Sequence, residues 1–400
     1  MIFLYYAITF ILILFLVFPF IMVAFSLLFR ERLKMRRPLQ DYDFGNIITA
    51  YRNAEIAKPL VQSLLKQTHQ NHLIYLIADN CDIDNWDIQD ERLMVLRPED
   101  PLNLKVKSII HGMEHYRRSH DFTVIYDADN LAHPDFLKIV NEYANCGYTS
   151  IQGQRTAKNL DTTFAAMDSL GEFYKNYIER YVPYLLGSSS VISGSGMAVE
   201  TELYRGYLTS PEIETGKHLG KKMLQEDKIL QNHLLYQKEK IVYAKDALIY
   251  DEKVTTGDAV ETQRGRWLYS YFQNLPNTLG LVLRGFFLFN WNQLLFGLTT
   301  IIPPMFILLG ISLIWMCISA LLSWKMALAM FVAIGIFGLN IFLSLYLSRV
   351  PQPIWNAIGS LPQFAARQFT AMFKMRNPDK NFKHSEHTVQ VSIDEILNAK

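Results

Sequence analysis

The sequence predicts an α/β domain with a mostly parallel sheet, flanked by transmembrane helices. Three observations carry this reading. Between residues 44 and 260, short apolar runs alternate with segments of helical periodicity, the signature of βαβ units. Outside that span lie blocks without charge, residues 1–29 and 286–348, the second interrupted only by Lys325. At the centre, Val124-Ile125-Tyr126 stops at Asp127-Ala128-Asp129, placing two carboxylates at the carboxyl end of a buried strand. Open α/β sheets collect ligands at that edge.

The N-terminal block contains no charged residue over 29 positions, and about 20 apolar residues suffice to cross a bilayer. It lacks the basic start and small-residue cleavage site of a signal peptide, so it reads as a retained transmembrane helix. A basic linker follows at 30–43, where Arg30, Arg32, Lys34, Arg36 and Arg37 face a single Glu31. By the positive-inside rule this flank is cytoplasmic, with the N-terminus outside.

Residues 44–260 form the expected catalytic domain. Strands are predicted at 45–50, 73–77, 93–96, 122–126 and 149–154, and helices at 57–67, 106–116 and 164–181. The second strand ends at Asp79, which suits a nucleobase or ribose. The Asp127/Asp129 turn suits a hard divalent cation that also takes phosphate oxygens. Neither a Gly-x-Gly-x-x-Gly turn nor a Walker loop is present, so a nucleotide here is held by carboxylates and metal. The small polar run 188–196 is read either as a backbone approach to sugar or phosphate or as an ordinary loop. Gln225-Glu226-Asp227 opens a helix, where acids complement the dipole or, aimed into a site, supply a general base. In Gln263-Arg264-Gly265-Arg266-Trp267, a guanidinium can grip phosphate and an indole can stack on a sugar.

The remaining chain divides into interfacial helices within 261–303, a transmembrane hairpin at 304–348, an amphipathic interfacial helix at 349–376, and a polar cytoplasmic tail at 377–400. The amphipathic assignment rests on Phe364, Ala365, Phe369, Met372 and Phe373 recurring at helical spacing. The 39 basic and 38 acidic residues nearly cancel, which gives no field for nucleic acid. Three cysteines without metal spacing argue for a reducing compartment and against zinc or a disulfide framework. A transporter is disfavoured because the spans carry no ionisable residue.

In their order and spacing, Asp79, Asp127-Ala128-Asp129, Gln225-Glu226-Asp227 and Gln263-Arg264-Gly265-Arg266-Trp267 resemble the motifs of membrane-integrated family 2 glycosyltransferases. That branch includes cellulose, hyaluronan and poly-N-acetylglucosamine synthases. Ala50-Tyr51-Arg52-Asn53-Ala54-Glu55 is similar to the family's start. Gln225 departs from the usual Thr, and Asn80 from a frequent second Asp. The resemblance implies a GT-A-like nucleotide-sugar-binding domain and an inverting transfer from a UDP-sugar donor to a growing polysaccharide. A lipid acceptor of ceramide or polyprenyl phosphate type is the alternative. It further implies Asp227 as general base, with Glu226 beside it. Asp79, Asp127, Gln263, Arg266 and Trp267 would bind the donor, and Asp129 with Asp127 would hold Mg²⁺ or Mn²⁺. The partners implied are the donor, the acceptor, the lipid bilayer and export or regulatory subunits, at the plasma (inner) membrane.

Overall fold

A computed structural model describes residues 2–218, 225–373 and 391–398. The chain divides into two compact units. One comprises Arg32–Ala165, Ser189–Val254 and Arg376–Lys400, and the other Met1–Glu31, Ala166–Ser188 and Thr255–Met375.

The first unit is built on eight strands: β1 (Phe44–Tyr51), β2 (His72–Asp79), β3 (Leu93–Leu96), β4 (Phe122–Asp127), β5 (Leu131–Ala132), β6 (Ser150–Ala157), β7 (Met197–Glu200) and β8 (Ile241–Asp251). They form one sheet in the order β3-β2-β1-β4-β7-β6-β8-β5. The four strands β3, β2, β1 and β4 are parallel, as the alternation of apolar runs and helices predicts. The sheet is nonetheless mixed. β7 enters antiparallel between β4 and β6, and β5 pairs antiparallel with β8. Every residue of β2 is buried, which is why it reads as a nearly continuous apolar run rather than an alternating one.

A large core lies on one face of this sheet. Ile47, Tyr75, Ile77 and Ile125 from the strands meet Val106 and Ile109 of the helix Lys105–Glu114, and Leu230 and Leu234 of the helix Glu226–Tyr236. Each such side chain contributes roughly 1.5–3 kcal/mol on burial. Between β6 and β8 the register jumps from Gly153↔Ala244 to Gln154↔Leu248. The residues looped out include Lys245 and Asp246, so charge sits at the bulge and not in the ladder. Gly196 takes φ +63°, and a Cβ there would come within 2.6 Å of Ile249, so glycine is required on two counts.

Among the described residues, the second unit contains three helices long and apolar enough to cross a membrane, Ile2–Ser26, Met305–Leu322 and Trp324–Leu347. The Trp315 indole N–H donates to Thr9 Oγ1 at 2.9 Å, and its ring stacks on Tyr5, which ties the first span to the hairpin. The 31-residue helix Gly257–Phe287 carries the Gln263–Trp267 motif and packs on the helix Trp291–Thr300. Gly285 meets the Leu294 backbone and Gly297 meets Val282, so two missing side chains allow the close approach. The segment 349–376, expected as one amphipathic helix, is divided among the described residues into the helix Gln352–Ala357, a 3-10 turn Ile358–Ser360 and the helix Leu361–Phe373. Its polar side is engaged by protein: Arg367 and Thr370 donate to the buried Glu261 at 3.2 and 2.9 Å. Phe369 packs on Phe306. The end of that segment at 374–376, the tail through residue 390, and Leu224 just before the Gln225-Glu226-Asp227 motif lie outside the described residues.

Candidate active site

β1 registers Tyr51 against Asp79 of β2 on one side and Thr49 against Asp127 of β4 on the other. Both acids therefore emerge at the same carboxyl edge of the parallel strands, as the sequence predicts. The buried Asp79 carboxylate accepts the backbone N–H groups of Leu102 and Asn103, both at 2.8 Å. That shapes the turn leading into the helix Lys105–Glu114 and leaves each oxygen a second lone pair.

The same turn delivers Lys105. Its ammonium donates to Asp127 Oδ1 at 2.6 Å and to the Gly194 carbonyl at 3.0 Å, and it lies 3.7 Å from Glu226. Burial opposes the charge on Lys105, but Asp127 and Glu226 outweigh it and hold the pKa above that of an ordinary lysine. For Glu226 the balance is reversed. Burial pushes its pKa up, Lys105 partly offsets this, and Asp227 and Asp127 add to the rise. Asp127, Glu226 and Asp227 thus gather around one ammonium, leaving the cluster net negative. Sequence reading missed Lys105, because Lys-Val-Lys at a helix start looks like a solvated face.

The helix that brings Glu226 and Asp227 begins abruptly. Gln225 sits at φ +57°, a left-handed conformation costing about 1 kcal/mol for a non-glycine residue, and Tyr207 donates to the Glu226 carbonyl at 2.8 Å. Gly194, at φ +80°, lies against Asp227. Within the run 188–196, the stretch from Ser189 is an ordered part of the sheet unit, and its Gly194 carbonyl accepts Lys105. Ser189 to Ser195 is hydrogen-bonded into the sheet, with Ser193 N donating to Gln152 and the Ile241 N–H donating to Ser189. Ser195 and Asn130 are hydrogen-bonded to each other, and both accept the Asp127 N–H at 3.2 Å. The run is the backing of the Asp127–Asn130 turn.

Asp129 is buried, 7 % exposed, and its carbonyl accepts Lys158 Nζ at 3.2 Å. Asn130 Nδ2 donates to Asp251 at 3.3 Å. Asp251 also takes Arg155 and Lys253, and although its burial works the other way, these two cations hold its pKa below the usual carboxylate range. Among the described residues no three His, Cys, Asp or Glu side chains converge as a metal cage. The donor set present fits a cation shared with a ligand: hard carboxylate oxygens of Asp127 and Asp129, a cluster that stays net negative beside Lys105, and coordination positions left for phosphate.

The Gln263–Trp267 motif lies on the other unit. Gln263 Oε1 is buried without a hydrogen-bond partner among the described residues, a position where a ligand donor would be favourable. Burial lowers the pKa of Arg266 below the usual arginine value. Arg264, outside the expected site set, forms a buried ion pair with Asp168. The Trp267 ring is already engaged by cations, Arg264 at 4.2 Å and Lys175 at 4.7 Å.

The Glycosyltransferase like family 2 profile matches residues 43–270, more than half of the sequence. The chain belongs to that family. Its fold is of the GT-A type. The mannosyltransferase PcManGT from Pyrobaculum calidifontis, solved in complex with GDP-Man and Mn²⁺, is similar over 92% of this chain and 96% of its own, with a TM-score of 0.56 and 12% identity. TarS from S. aureus is similar over 60% of this chain and 40% of its own (TM-score 0.38, 15% identity). No curated protein sequence matches. The carboxylate cluster at the sheet edge is therefore the candidate active site of a glycosyltransferase.

Proposed function

We propose that this glycosyltransferase is membrane-bound and inverting, moving a sugar from a UDP-sugar to a growing polysaccharide at the inner face of the plasma membrane. The observation that carries the reading is the gathering of Asp127, Glu226 and Asp227 around Lys105 at the carboxyl edge of the sheet. Glu226 is committed to Lys105 and buried, which leaves Asp227, at the same helix start, to take the proton from the acceptor hydroxyl. Asp79 orders the 102–103 turn beside the nucleoside. Asp127 and Asp129 would hold Mg²⁺ or Mn²⁺, which supplies positive charge against the leaving diphosphate. PcManGT, of the same fold, was solved with Mn²⁺ and a nucleotide sugar, which supports a divalent cation and that donor class. Gln263, Arg266 and Trp267 are assigned to the diphosphate and acceptor end. The apolar helices and the basic flank from Arg30 to Arg37 support a membrane location with the sheet unit in the cytosol.

Purified enzyme incubated with radiolabelled UDP- and GDP-sugars, followed by product sizing, tests the proposal. A high-molecular-weight product from one UDP-sugar is expected. A product that partitions as a single glycolipid would establish the lipid acceptor instead, and transfer from GDP-sugars alone would overturn the UDP assignment.

A further inference from the structure

The C-terminal residues 391–398 are docked on the sheet unit. Ser392 caps the helix start: the Glu395 N–H donates to Ser392 Oγ at 3.2 Å, and the Ser392 hydroxyl donates to Glu395 Oε1 at 3.0 Å. The short helix Ile393–Asn398 thus starts at a built N-terminus. Ile393 is 1% exposed and packs with Leu131 and Tyr250, with Val391, Leu248, Ile396 and Leu397 around them. Asp394 pairs with Lys66, at the end of the helix Lys58–Leu65.

The place covered is particular. β5 is a two-residue strand at the sheet edge, held by the Leu131↔Tyr250 and Ala132↔Ile249 pairs. So short an edge strand has little stability of its own. Leu131 directly follows Asp129-Asn130, and Tyr250 directly precedes Asp251, which accepts from Asn130. Ile393 therefore closes over the strand pair whose adjoining residues fix the Asp127–Asn130 turn.

We propose that residues 391–398 are an intramolecular latch that positions the Asp127–Asn130 turn for donor binding. The positioning role rests on the reading that this turn binds the donor diphosphate; the latch itself does not. With the segment docked, β5 stays against β8 and Asn130 stays on Asp251. With it released, β5 frays and the turn loses its fixed conformation.

The experiment compares the full-length enzyme in detergent with Ile393→Asp and with a chain ending at residue 390. Amide hydrogen exchange across 127–132 and 248–251 is measured without ligand, and UDP affinity is measured with Mn²⁺. In both variants, exchange in these two segments should accelerate by about tenfold or more, the order expected for losing one buried isoleucine, while β1 and β2 are unchanged. UDP affinity should fall by about tenfold, and a synthetic peptide of residues 389–400 should restore both in the truncated chain. Unchanged exchange in Ile393→Asp would overturn the latch, whatever the enzyme binds. Faster exchange with unchanged UDP affinity would overturn the positioning role. If the unmodified enzyme binds no UDP, the donor reading has failed, and the exchange comparison still decides the latch.

Discussion

Lys105→Met keeps the aliphatic stem and removes the ammonium that Asp127 and Glu226 share. Three carboxylates then face one another without a counter-charge, and an anionic nucleotide meets a more negative site. A charge-assisted hydrogen bond contributes about 1.5–3 kcal/mol, so UDP affinity measured by calorimetry should weaken roughly 10- to 100-fold. Unaltered affinity would remove Lys105 from the site. Asp227→Asn tests the chemistry separately. It keeps the shape and removes the proposed base, so turnover should fall by a factor on the order of 10² or more, with UDP binding nearly unchanged. If Arg266 grips the diphosphate as proposed, Arg266→Ala should lower both, because losing that guanidinium would weaken nucleotide binding as well as rate. If Asp227→Asn loses UDP as severely as Arg266→Ala, the base lies elsewhere, with Glu226 the first candidate.

At the scale of the element, β2 carries its own pH dependence. His72, the first residue of β2, is buried, and that burial lowers its pKa to about 4. The folded value is below the unfolded one, near 6.5. The stabilisation from keeping the ring neutral is therefore complete above pH 6.5 and is lost as pH falls toward 4. Over that window the loss is of order 3 kcal/mol. The melting midpoint should drop between pH 7 and pH 5, and His72→Gln should shrink the drop. An equal drop in the variant would assign the dependence to another group. β2 is also an element that sequence reads well, since its apolar run 73–77 is uninterrupted. β7 and β8 are not. β7 has four residues and follows a Ser/Gly run that looks like loop, and β8 is broken by Lys245 and Asp246 at its bulge. The same contrast holds in the site. Asp127 and Asp129 announce themselves by spacing, whereas Lys105, Asn130 and Ser195 matter only because folding brings residues tens of positions apart within hydrogen-bond reach. The tail helix is similarly hidden, because four apolar residues in a polar stretch have no visible partner until β5 and β8 are formed.

For the whole molecule, the proposed orientation in the bilayer rests on three apolar helices and one basic flank. With the N-terminus outside, as proposed, Ile2–Ser26 would cross inward and deliver Arg30 to Arg37 to the cytosol, where lysine and arginine near a span are favoured. The hairpin Met305–Leu322 and Trp324–Leu347 would then cross out and back. Ser323 alone separates its two helices, and in the proposed orientation this turn would sit at the outer surface. Single cysteines placed at Lys34, Ser323 and Ser385, with Cys81, Cys146 and Cys317 replaced by serine, turn this into a labelling pattern. In intact cells a membrane-impermeant maleimide should label Ser323→Cys and spare Lys34→Cys and Ser385→Cys, and permeabilisation should expose all three. Labelling at Lys34 in intact cells would invert the molecule and place the carboxylate cluster on the side away from cytosolic nucleotide sugars. Labelling at Ser385 but not at Lys34 would leave the hairpin one crossing short, and one of its two helices would then lie along the membrane rather than through it.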